Sequence, residues 1–114
     1  MVERLHSGPR MSQAVVHNDT VYLAGQVAAD PATDVAGQTR QVLAAIDALL
    51  AAAGTDKTRI LSANIYLADI GTFAQMNSVW DGWVAAGHTP ARATVEARLA
   101  SPVYKVEIQI VAAR

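Results

Sequence analysis

Three polar side chains in this sequence are suited to chemistry on a small charged molecule: Arg92, Glu107 and Asn77. Arg92 follows Pro90-Ala91. Its guanidinium is a planar fork of donors that grips a carboxylate through two hydrogen bonds, which a lysine ammonium cannot do. An ordinary strand arginine in a surface ion pair with Glu96 is the other reading. Glu107 can act as a general base on water if it faces a partly dry cleft, or it pairs with Lys105 on a wet strand. Asn77 falls one turn after Phe73 and just before Trp80, on the apolar stripe of a helix. A buried, unpaired amide costs roughly 1 to 3 kcal/mol, so Asn77 must find partners, in a cleft or in a structural hydrogen bond. His6, His17 and His88 show no metal-ligand spacing; His88 can carry protons near Pro90 and Arg92, or is an ordinary loop histidine. The absence of cysteine excludes thiol catalysis, zinc thiolates and iron-sulfur clusters. No Gly-rich phosphate loop or nucleophile elbow is present. The expected reaction therefore uses no metal and no cofactor.

These residues need a scaffold, and 114 residues make one domain (1–114) with a sizeable core. Nine Lys and Arg against ten Asp and Glu give a net charge of -1, which argues against nucleic acid as a partner. No apolar run approaches the ~18 residues of a membrane span. Glu3, Arg4, His6 and Arg10 stand where a signal peptide is apolar, so the expectation is a cytoplasmic protein with no membrane partner. Residues 13–17 and 20–27 read as a hairpin around Asn18-Asp19. Val35, Val42, Ile46, Leu49, Leu50 and Ala53 predict a helix over about 37–53, stopped by Gly54. Residues 59–67 alternate as a strand, a second helix runs from Thr72 to Gly87, and 91–99 and 103–112 alternate again. A short extra strand is expected near 3–6. The class is α+β, with both crossover helices on one face of the sheet. The uncovered face would carry Tyr22, Gln26, Asn64, Tyr66, Arg92, Thr94, Glu96, Arg98, Lys105, Glu107 and Gln109, and it is either solvated or half of a subunit interface.

The segments Gly8-Pro9-Arg10-Met11-Ser12-Gln13-Ala14, Tyr22-Leu23-Ala24-Gly25-Gln26-Val27, Gln38-Thr39-Arg40-Gln41-Val42-Leu43, Phe73-Ala74-Gln75-Met76-Asn77, Pro90-Ala91-Arg92-Ala93-Thr94-Val95 and Lys105-Val106-Glu107-Ile108 recur in a set order. Together they resemble the RidA/YjgF family of enamine/imine deaminases. The resemblance covers nearly the whole chain. It implies a chorismate-mutase-like mixed sheet and a homotrimer, with sheets around the threefold axis and clefts between subunits. Local pattern alone would pair 92–98 with 104–112 as a hairpin, whereas the resemblance threads the last strand into the middle of the sheet. It also implies that Arg92 holds a substrate carboxylate, that Glu107 positions or activates the attacking water, and that Asn77 helps build the cleft.

Departures from the family pattern bear on substrate range. The chain reads Gly-Pro-Arg-Met-Ser-Gln where members commonly have Gly-Pro-Tyr-Ser-Gln, so Arg10 either lines the cleft in place of the lost aromatic or is solvated. Ala24 replaces a common serine, and Trp80 stands at a substrate-binding position often held by tyrosine. These features are similar to the YoaB-like branch. The implied function is cofactor-free hydrolysis of 2-imino or 2-enamino acids to 2-keto acids and ammonia. A non-catalytic trimer that binds small carboxylates is the alternative, and an endoribonuclease is less favoured because no basic groove is apparent.

Overall fold

A computed structural model describes residues 1–114. Six strands form one sheet: β1 (Val2–Ser7), β2 (Ser12–His17), β3 (Thr20–Leu23), β4 (Ile60–Leu67), β5 (Ala91–Glu96) and β6 (Val106–Ala113). Their order across the sheet is β1-β2-β3-β6-β4-β5. Helices α1 (Val35–Ala52) and α2 (Phe73–Trp83) pack together on one face, which gives the expected α+β architecture. Neither helix is long and apolar enough to cross a membrane.

The last strand in sequence, β6, lies between β3 and β4 and runs antiparallel to both. Its position matches its side chains: Val106, Ile108, Ile110 and Ala112 are all fully buried on the face that packs against α1. β5 pairs with β4 alone, in parallel. The local hairpin of 92–98 with 104–112 is therefore overturned, because alternation records which face of a strand is apolar but not which strand lies beside it.

Element ends differ from the sequence expectations for local reasons. α1 begins two residues early because the Asp34 side chain caps the Gly37 N–H at 2.8 Å. Gly54, at φ +82°, turns the chain out of it. β3 stops at Leu23, and pairing resumes only as a single bridge between Gln26 and Ile108. α2 ends at Trp83, since Val84 is already extended with ψ 138°; Gly87, expected as its stop, serves a separate turn at φ +78°. β5 ends at Glu96 and β6 starts at Val106, so 97–105 is a connection. The short first strand becomes a full edge strand.

The largest correction concerns faces. Residues opposite each other in a ladder share a face. Arg92, Thr94 and Glu96 lie opposite Ala63, Ile65 and Leu67, all three buried in the core beneath the helices. Arg92, Thr94 and Glu96 thus point to the helix side, while Ala91, Ala93 and Val95 point outward. Glu107 and Gln109 lie opposite Tyr66 and Asn64 on the open face. The apolar row of β5 suggested an inward face, but at this edge strand α2 stands over the polar row.

Candidate functional site

On the helix side, Arg92 is held from two directions. Its Nη1 donates to Asn77 Oδ1 at 2.7 Å, and its guanidinium lies 5.2 Å from the Trp80 ring centroid and 5.7 Å from that of Phe73. Asn77 therefore finds its partner in Arg92 and orients the fork by accepting from one arm. Trp80 is buried and rests 5.4 Å from Trp83, so it backs the guanidinium from within the core. The surface pair with Glu96, the alternative reading of Arg92, does not form. Glu96 Oε1 instead accepts the Ile70 N–H at 3.0 Å, and the chain's one ion pair is Arg114 with Glu3, at 3.5 Å. A guanidinium in this setting, braced and without a carboxylate, keeps donors available for an anion. Two residues along the same face, the Thr94 hydroxyl is buried and has no hydrogen-bond partner.

On the open face, Glu107 is half-buried on β6 beside Tyr66. Its carboxylate lies so close to Gly25 that a Cβ there would stand 2.1 Å from Oε2. Glycine at 25 is thus needed for close approach rather than for a turn. Gln26 keeps this backbone in place through Gln26 N to Ile108 O (2.9 Å) and Ile108 N to Gln26 O (3.1 Å), while its side chain donates to Gln13 Oε1 at 2.9 Å. Lys105 does not pair with Glu107. Its ammonium donates to the Thr33 carbonyl at 2.8 Å, on the helix side. Arg10 is exposed in the turn between β1 and β2, at the sheet end where Gln26 meets Ile108.

The candidate residues therefore fall into two separate groups. Arg92 and Glu107 are separated by two strand positions and three residues of rise, roughly 14 Å between backbones, and they lie on opposite faces. One chain does not bring them together. Sequence reasoning passed over Gly25, Phe73 and Gln38. A glycine inside a strand pattern is a signal of close backbone approach, and an amide on the apolar stripe of α1 is a signal of a buried anchor.

Along residues 1–114 the chain matches the protein family described as Endoribonuclease L-PSP. It is 49% identical over 112 residues to the RutC family protein YoaB of Escherichia coli, covering 98% of this chain and 97% of that one. With a RutC family protein of Haemophilus ducreyi it shares 48% identity over 113 residues, or 99% and 97% of the two chains. Among solved structures, a YjgF family member from Neisseria meningitidis superposes with a TM-score of 0.98 at 50% identity, covering 100% of this chain and 95% of that one. A YjgF/YER057c/UK114 family member from Mycobacterium tuberculosis superposes at 0.90 with 26% identity, over the full length of both.

Proposed function

The chain belongs to the Endoribonuclease L-PSP family, and from that premise we propose that it hydrolyses 2-imino and 2-enamino acids to 2-keto acids and ammonia. Arg92 binds the substrate carboxylate, with Asn77 setting the fork and Trp80 and Phe73 backing it. Glu107 takes a proton from water as the oxygen attacks the C=N carbon. The imine nitrogen is protonated, the resulting carbinolamine loses ammonia, and the ketone remains. Each imine consumes one water and releases one ammonia, so no redox partner is needed. Positioning and one base suffice for a bond that already hydrolyses unaided.

The observation that carries this reading is the braced guanidinium of Arg92, held by a neutral amide and two aromatic rings and free of any carboxylate. The opposite-face geometry adds a condition: the complete site lies between copies, with Arg92 of one facing Glu107 of the next. The open face supports such an assembly, since Tyr22 and Val95 are each about half exposed there. A homotrimer supplies three such clefts. Arg10, at the Glu107 end of the sheet, is a rim residue in this arrangement.

Freshly generated 2-iminobutanoate, followed by ammonia release in Arg92→Ala beside the wild type, tests the reading. A variant that stays trimeric and loses activity supports it, whereas full activity in the variant removes Arg92 from the site. A trimer that binds pyruvate but does not accelerate hydrolysis would instead point to the carboxylate-binding alternative.

A further inference from the structure

Gln38 is a fully buried polar residue on the core side of α1, and its amide ties one backbone group just upstream of α1 to two on the segment leading into β6. Its Nε2 donates to Pro31 O at 3.0 Å and to Val103 O at 2.9 Å. Its Oε1 accepts from Lys105 N at 2.8 Å. A second tie runs alongside, from Lys105 Nζ to Thr33 O. The connection from β5 to β6 is thus fastened to the start of α1 immediately before it enters β6, two residues ahead of Glu107. On the far side of Glu107, Ile108 exchanges both backbone hydrogen bonds with Gln26.

We infer that Gln38 is a positioning residue: its amide fixes the backbone on the upstream side of Glu107, as the Gln26 bridge does downstream, so that the carboxylate is held against Gly25. The inference deepens the proposed deaminase and rests on the Glu107 role given there. The reasoning is geometric. A catalytic carboxylate must be held within about 0.5 Å by a rigid supporting shell, and ahead of Ile108 the start of β6 is paired on one side only: Val106 lies opposite Leu67 and Ala68 N donates to Lys105 O at 3.1 Å, while nothing pairs it on the β3 side short of the Gln26 bridge. Side-chain contacts cannot hold the open-face side of that end, because the Glu107 carboxylate makes no hydrogen bond within the chain and Lys105 is turned to the other face. A glutamine amide supplies both donors and an acceptor, so it satisfies Val103 O, Pro31 O and Lys105 N together. Methionine has nearly the same shape and supplies none of these bonds.

The test is Gln38→Met, read three ways: by the crystal structure of the variant, by steady-state kinetics on 2-iminobutanoate, and by pyruvate binding. The carboxylate of Glu107 should move off Gly25 by about 1 Å or more, and kcat should fall roughly ten- to a hundredfold, the scale of a 1 Å misplacement. KM and pyruvate affinity should stay within about threefold, since Arg92 is not touched. An unmoved carboxylate overturns the inference whether or not the protein is a deaminase, as does a normal kcat in a variant with lowered melting temperature. Equal losses of kcat and pyruvate affinity also overturn it, because they mark general loosening. Absence of turnover in the wild type overturns the deaminase reading and leaves the crystallographic arm decisive for Gln38. If Gln38→Met does not fold, Lys105→Met removes only the outer tie: a smaller fall in kcat at constant KM supports the inference, and an unchanged kcat overturns it.

Discussion

Mixing two dead variants is the sharpest way to ask whether the site is shared between copies. Arg92→Ala removes the carboxylate fork, and Glu107→Gln removes the base while leaving the side chain nearly isosteric. Losing a partly desolvated, two-pronged ion pair costs roughly 2 to 5 kcal/mol of transition-state binding, about 30-fold to several thousandfold in rate, so Arg92→Ala alone falls to a few per cent or less. Glu107→Gln should be similarly crippled in kcat. Opposite faces of the sheet carry the two side chains, so under the proposed reading each cleft takes Arg92 from one copy and Glu107 from its neighbour. In trimers assembled at random from equal amounts of the two variants, about one cleft in four receives an intact arginine and an intact glutamate. Co-expression with two different tags, tandem purification of mixed trimers and an ammonia-release assay should therefore return about a quarter of wild-type activity or more, since tandem purification discards the pure trimers. Clefts built within one chain can never be repaired by mixing. Recovery no better than the single variants, in trimers shown by mass spectrometry to be mixed, would refute the shared site and the face assignment behind it.

Further outcomes follow from individual contacts. Arg92→Lys should recover little of the activity lost in Arg92→Ala, because the fork and its stacking on Trp80 are lost together, and parallel assays of the two variants check this. Asn77→Leu deletes the acceptor at 2.7 Å from Arg92. A charge-assisted hydrogen bond of about 1.5 kcal/mol predicts a KM raised roughly tenfold and a smaller change in kcat. Gly25→Ala should displace the flexible end of Glu107 rather than the backbone, so kcat drops while the melting temperature holds. Asp56 is held below the usual carboxyl range by hydrogen bonds from the Thr58 hydroxyl and N–H. A depressed folded value stabilises above the unfolded one and is lost as pH falls through the folded one, so Asp56→Asn should narrow the gap in melting temperature between neutral and strongly acidic pH.

Much of the scaffold was legible because burial leaves a period. Val42, Ile46 and Leu50 along α1, and Ala63, Ile65 and Leu67 along β4, point inward as the pattern requires. β5 was not legible in the same way. Its apolar row is only Ala91, Ala93 and Val95, and the neighbour above Arg92 is a helix that begins 19 residues earlier in the chain, at Phe73. No local pattern distinguishes an alanine row facing a core from one facing outward. The choice of Arg92, Glu107 and Asn77 as candidates rests on the family resemblance, since residue chemistry alone equally allows surface ion pairs and a structural amide. Their arrangement did not, since the Arg92 to Asn77 bond and the approach of Glu107 to Gly25 join residues 15 and 82 positions apart in sequence.

The central place of β6 also bears on how the protein is made. Until its final strand is synthesised, the growing chain holds β1 to β3 and β4 with β5 as two unjoined ribbons, because β6 alone bridges β3 and β4. Closure of the sheet must wait until β6 has emerged, and it requires contacts of long sequence separation, the slow kind. Glu107 travels on that strand. A nascent chain that stops short of β6 can therefore assemble the Arg92 cluster, whose parts all precede residue 97, but it lacks Glu107. The two exposed ribbon edges of such an intermediate are the surfaces a chaperone would need to shield.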